Sequence, residues 1–211
     1  MSDSAPGIDR VEIVATVLLA LAAVATAWSS YQSSRWNGEQ AKAVSRGNTA
    51  RIESTRASGL ADAQSQIDVA TFTQWANAYA LGETKLADFY FRRFRVEFKP
   101  AVEAWIATRP LRNAAAPLTP FAMPQYKVAA RAEADQLQAQ ADAYSEKGRT
   151  DVQRATNYVL AVVLFAVALF FAGMSTKLRA RRLQIVLLAL GTAFFIGAVV
   201  WLATQPINVS V

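Results

Sequence analysis

Three stretches of this chain carry no charged side chain apart from their edges: Ile13–Trp28, Tyr158–Met174 and Leu183–Ala203. The last is 21 residues long; as an α-helix it rises about 31 Å, enough to cross a hydrocarbon core of about 30 Å. The other two become long enough once the flanking Val11, Ala155 and Thr156 are included. In lipid the backbone must satisfy its own hydrogen bonds, so these stretches are read as helices. The chain is therefore expected to be an all-α integral membrane protein. Its three transmembrane helices fall at 13–28, 157–174 and 183–203, and an extramembrane helical bundle or long helical hairpin occupies 29–156. Residues 1–12 and 204–211 are short tails, and 175–182 joins the last two spans.

The first span could instead be a cleaved leader, since Ala25-Thr26-Ala27 has the small-x-small form of a cleavage site. Its leading residues hold Asp3, Asp9 and Glu12 against Arg10 alone, however, whereas a leader wants net positive charge. An uncleaved anchor is expected.

The joint at 175–182 carries Lys177, Arg179, Arg181 and Arg182, while the eight residues after Ala203 carry no positive charge. The positive-inside rule makes this a basic cytoplasmic turn, which puts the C-terminal tail and residues 29–156 outside and the N-terminal tail inside. The flanks of the first span point the other way: Arg10 precedes it, and Arg35, Lys42 and Arg46 follow it. Short loops obey the rule and long domains translocate largely regardless of charge, so the turn decides. Arginine outnumbers lysine 16 to 6 and alanine is abundant, a composition that points to a GC-rich bacterium. The expected location is the bacterial inner membrane, with the central domain periplasmic.

The net charge of +6 does not call for a nucleic-acid partner, because four of the positive charges belong to the turn. Residues 29–156 hold 17 basic and 13 acidic side chains, a mixed solvated surface. There is no cysteine and no histidine, which removes thiol nucleophiles, the usual neutral-pH base and the commonest ligands for zinc, iron and copper. No glycine-rich phosphate loop is present either. The inventory leads to the expectation of no enzyme, no cofactor and no metal. No charged residue falls within the apolar part of a span, where ion pathways usually show themselves. Thr16 and Thr26 are the candidates for lining a pore built by oligomerisation. In the third span Ala189, Ala193 and Gly197 form a small-xxx-small face, read as packing against the second span.

Asp9 is a candidate N-cap for a helix that meets no proline before Pro100, with Glu12 at its third position. Alternating steps of four and three from Ala15 run through Ala22, Ser29 and Trp36 to Ala43, Gly47, Ala50, Ser54, Ala57 and Ala61. Eleven of the fourteen positions are Ala, Gly, Ser or Thr, a helix-packing seam that lets a second helix approach closely. A second helix is expected over Gln125–Thr156, with its own series Ala130, Ala134, Leu137, Ala141, Tyr144 and Gly148. The two seams could pair within one chain or between subunits. Arg131 with Asp135, Asp151 with Arg154, and the neighbours Asp142 and Glu146 are read as lying on its solvated face.

Between the two helices Phe72, Trp75, Tyr79, Leu86, Phe89, Tyr90 and Phe94 recur at helical spacing and are expected to form a core, with a bend at Gly82. Phe89–Lys99 interleaves aromatic and basic residues, and Arg92, Arg93, Arg95 and Lys99 are candidates for contact with an anionic surface. The proline-punctuated loop Arg109–Pro124 is expected to be an exposed tip or lid.

At Trp28-Ser29-Ser30-Tyr31-Gln32-Ser33-Ser34-Arg35-Trp36-Asn37-Gly38-Glu39-Gln40-Ala41 and at Ser175–Arg182 the chain resembles a group of uncharacterised bacterial membrane proteins. These have one N-terminal span, a helical middle domain and a C-terminal transmembrane hairpin. The resemblance implies the layout and carries no activity. The expected function is that of a non-enzymatic membrane protein, in contact with membrane lipid, whose outer domain mediates self-association or binds a membrane protein partner. A small oligomeric channel or transporter component is the alternative.

Overall fold

A computed structural model describes residues 10–208; Asp9, the candidate N-cap, and the remainder of the two tails lie outside the described residues. The protein is all-α, with no strand among the described residues. Its helices are α1 (Arg10–Ala80), α2 (Thr84–Arg93), α3 (Lys99–Ala107), α4 (Ala129–Ser175) and α5 (Arg181–Ala203), with a single 3₁₀ turn at Pro120–Ala122. Strong helix formers without an internal proline sustain the 71 residues of α1 and the 47 of α4. Three helices (α1, α4 and α5) are long and apolar enough to cross a membrane, which makes this a membrane protein with three candidate spans.

Gly82 ends α1 as the bend predicts. Its φ of 76° is left-handed, Gly82 N–H donates to Tyr79 O at 3.2 Å, and Glu83 N–H donates to Ala78 O at 2.9 Å. This is the Schellman arrangement, which satisfies the last carbonyls of the helix and favours a residue without Cβ.

The chain divides into two compact units, Met1–Arg46 with Tyr144–Val211 and Gly47–Ala143, and α1 and α4 contribute to both. In the first unit, Ala15 and Leu18 of α1 cluster with Ala172 of α4 and Leu188 of α5. Phe165 and Ala161 cluster with Ala198. α4 and α5 approach closely at Gly191, where an added Cβ would stand 3.1 Å from Ala168 O and 3.3 Å from Ala172 N. The packing face of α5 is thus Leu188, Gly191 and Ala198. Ala189, Ala193 and Gly197, read from the sequence as that face, are exposed, and Gly197 has open space where a Cβ would be. Small residues marked a face capable of close approach; the neighbouring helix occupies the adjacent one.

In the second unit the paired seams of α1 and α4 carry small side chains. An aromatic cluster gathers Phe72 and Trp75 of α1, Phe94 and Phe98 of the α2–α3 joint, and Val102 and Trp105 of α3. Phe98 is fully buried; its ring stacks on Phe121 at 5.2 Å and meets Phe94 and Tyr126 edge-on at 5.2 and 5.6 Å. Trp105 Nε1–H donates to Pro117 O at 2.6 Å. The proline-punctuated loop therefore contributes Pro120 and Phe121 to the core instead of standing wholly outside, although Leu111 and Leu118 remain exposed. Tyr79, Leu86 and Phe89, expected in the core, are each about two-fifths exposed: Leu86 and Phe89 lie on α2, a separate short helix with only Ala87 buried, and Tyr79 lies in the last turn of α1.

Candidate functional site

All six seam positions, Ala43, Gly47, Ala50, Ser54, Ala57 and Ala61, are buried. In the second unit Ser54 Oγ donates to Ala134 O of α4 at 2.9 Å, a contact only a short side chain permits. In the first unit a Cβ placed on Gly148 would lie 3.8 Å from Ala43 Cβ. The seams therefore pair within one chain, leaving the opposite face of each helix outward. Arg51–Asp142 (3.8 Å) and Arg131–Asp62 bridge the helices at exposed rims, where such pairs contribute little. Arg131 thus pairs across to α1, not with Asp135.

On the outward face of α1 in the second unit, Ile52, Leu60 and Ile67 are 56%, 53% and 53% exposed. At about 100° per residue they fall roughly 80–160° round the helix from the seam, with Ala63 among them. Arg56 is the one charged residue in that strip. Three large apolar side chains thus stand exposed on the flank of the helix.

Two carboxylates lie on the seams. Asp68 is wholly buried and accepts both Arg95 Nε–H and Nη2–H at 3.0 Å, a bidentate pair, with Tyr126 O–H donating to it at 3.4 Å. The bond to Asp68 holds the Arg95 guanidinium more firmly protonated than usual. Burial pushes the Tyr126 phenol above its ordinary value; a hydrogen bond with Ser65 opposes the rise and the Asp68 charge adds to it. Asp151 is 1% exposed, not on a solvated face; Lys147 Nζ donates to it at 2.8 Å and Arg154 lies at 3.4 Å. Arg154 also stands over the Trp36 ring, 4.6 Å from its centroid. Both aspartates sit where the four-three series of α1 and α4 continue past Ala61 and Gly148, a signal the sequence does hold.

The four cations of the aromatic–basic segment separate. Arg95 is turned inward onto Asp68 and Glu97. Arg93 lies over the Phe89 ring at 3.6 Å and donates to Phe89 O, while Lys99 Nζ donates to Arg92 O at 3.3 Å. Arg92 and Arg93 are exposed. The turn cations Lys177, Arg179, Arg181 and Arg182 are all exposed between α4 and the first turn of α5.

In the first unit, the chain after α5 returns onto the ends of the spans. Gln32 is fully buried; its Oε1 accepts Asn208 N–H at 3.0 Å, and its Nε2–H reaches Asn208 O at 3.4 Å. Pro206 O accepts from Tyr158 O–H at 3.0 Å and from Trp36 Nε1–H at 3.3 Å, and Asn157 Nδ2–H donates to Gln205 Oε1 at 2.8 Å. A polar glutamine in a helix of small residues is thus satisfied by the tail. The hydroxyls of Thr16 and Thr26 donate to Glu12 O and Ala22 O of their own helix.

Among the described residues no cluster of three or more acidic side chains with metal-holding geometry occurs. Fold and surfaces together define an all-α membrane protein with three candidate spans and a helical, aromatic-cored second unit. No family model, curated protein or solved structure matches the chain.

Proposed function

We propose that this is a non-enzymatic bacterial inner-membrane protein whose residues 29–156 lie in the periplasm and mediate self-association or binding of a membrane protein partner. The observation that carries the reading is the strip Ile52, Leu60 and Ile67, apolar and outward-facing on a helix whose opposite face is already filled. A helix partner lying along it would remove these side chains from water, at roughly 25 cal/mol per Å² of apolar surface covered. The channel alternative would draw on Thr16, which is exposed, and Thr26, which is half-buried, each donating its hydroxyl proton to its own helix.

Light scattering of the detergent-solubilised full chain tests self-association, with Ile52→Ser, Leu60→Ser and Ile67→Ser combined as the variant. The wild type is expected to be oligomeric and the variant monomeric. A monomeric wild type that also captures no membrane protein in a cross-linked pull-down would sink the proposal. Reporter fusions after Ala61 and after Asn208 should both read periplasmic, and cytoplasmic activity at Ala61 would reverse the orientation.

A further inference from the structure

Between residues 10–14 of α1 and 185–196 of α5 runs a largely apolar groove of about 610 Å³, lined by Val14, Ile185, Ala189, Thr192, Ala193 and Ile196, with Arg10 at one end. The small side chains of Ala189 and Ala193 form its floor, and Val14, Ile185 and Ile196 stand exposed along it. The lining alone would suit any hydrocarbon; the charges select among occupants. Arg182, Ile185, Ala189, Ala193 and Ile196 follow one another at spacings of three and four, so Arg182 projects from the groove's own face of α5. Arg10 is part of the lining; Arg182 is outside it, one turn before Ile185 on the same face of α5, toward the end where α5 begins. α5 also begins there, at Arg181 after its N-cap Ala180, so its unpaired N–H groups and positive dipole end add to the cations. Glu12 lies two residues beyond Arg10, about 200° round α1 and away from the groove. A cavity that is hydrocarbon-lined along its length and cationic at one end is complementary to a lipid with an anionic headgroup.

We propose that this groove is a specific site for one anionic phospholipid: an acyl chain lies over Ala189 and Ala193, and the headgroup phosphate is held by Arg10, Arg182 and the N-terminus of α5. The site stands on the first unit alone and does not depend on the association proposed for the second. Its chemistry differs from bulk solvation in being saturable and selective for headgroup charge.

Native mass spectrometry of the full-length protein in detergent, titrated with phosphatidylglycerol or with phosphatidylcholine, tests it. Phosphatidylglycerol is expected to saturate a first site with about thirtyfold preference, the scale two membrane-surface arginines supply. Arg10→Gln with Arg182→Gln should abolish the preference, and Ala193→Phe, which fills the floor and leaves both arginines in place, should weaken phosphatidylglycerol binding several-fold. Glycerol phosphate without acyl chains should not compete. Equal retention of the two lipids overturns the proposal, as does unchanged binding in either variant when its tryptophan fluorescence is native. If Ala193→Phe alters oligomeric state but not lipid retention, the groove is a helix interface and the proposal fails.

Discussion

The aromatic cluster and the part of the α1–α4 seam from Gly47 to Ala61 lie in the same unit, yet they are held together by opposite means. The cluster brings Phe72, Trp75, Phe94, Phe98 and Trp105 from separate segments into mutual edge-on and stacked contact. Each such ring buries on the order of 150–250 Å² and contributes mainly through its size. The seam buries Ala50, Ala57, Ala61, Ala134 and Ala141, which bring little area apiece but allow the helix axes to approach. Stability in the cluster resides in side-chain volume; in the seam it resides in the lack of it. Shortening a side chain should therefore harm the first most, and lengthening one should harm the second.

The sharpest break is Phe98→Ala. Phe98 is fully buried among four other rings, so the truncation leaves a cavity that α3 and the 109–124 loop cannot both close. A loss of about 4 kcal/mol is expected from large-to-small changes of this kind. Urea unfolding of the solubilised protein, followed by the fluorescence of Trp75 and Trp105, measures it, and a loss below about 1 kcal/mol would show that the cluster is not the core of its unit. The mirror experiment is Ala61→Leu. Ala61 is also fully buried, but the added carbons must force α1 and α4 apart, costing about 1–3 kcal/mol by overpacking. Ala139→Leu, on the exposed face of α4, serves as the control and should stay within about 0.5 kcal/mol of wild type. If the two leucines behave alike, the seam is not closely packed.

This contrast also explains what could be read from the sequence. The spans and long helices were legible because apolar length and helical period are local properties, and the seam was legible because its period persists from Ala15 to Ala61. The cluster was legible only in part. Phe72, Trp75 and Phe94 carry the period, but Phe98, Trp105 and Phe121 join them through chain reversals at Gly82, Phe94 and the proline-rich loop, which no period encodes. Arg95 showed the same limit: its neighbours made it one cation of a basic run, while the fold pairs it with Asp68, 27 residues away. Asp68 and Asp151 were legible in principle as charges falling on a seam's phase, and the mixed charges around them made them look solvated. For Ala189, Ala193 and Gly197 the sequence identified a face of small residues; choosing between adjacent faces needed the position of α4 against Gly191.

Where the cluster meets the seam, Asp68 and Tyr126 give the smallest and most selective test. Tyr126→Phe removes a 3.4 Å hydrogen bond to a carboxylate that keeps both bonds from Arg95, so about 0.5–1.5 kcal/mol is expected at pH 8. The sign of the pH dependence follows from burial. The folded phenol holds its proton above the ordinary tyrosine value of about 10, so its contribution is complete below that value. As the pH rises from there toward the raised folded value, the unfolded chain releases the proton first and folding stability falls. Phenylalanine has no proton to release. The deficit of Tyr126→Phe should therefore narrow as the pH is raised above 9, read as the difference between two denaturation curves so that the other tyrosines and the lysines cancel. A deficit that stays constant across that range would mean that Tyr126 titrates as a solvated phenol, and that the aromatic cluster does not seal the Asp68 end of the seam from water.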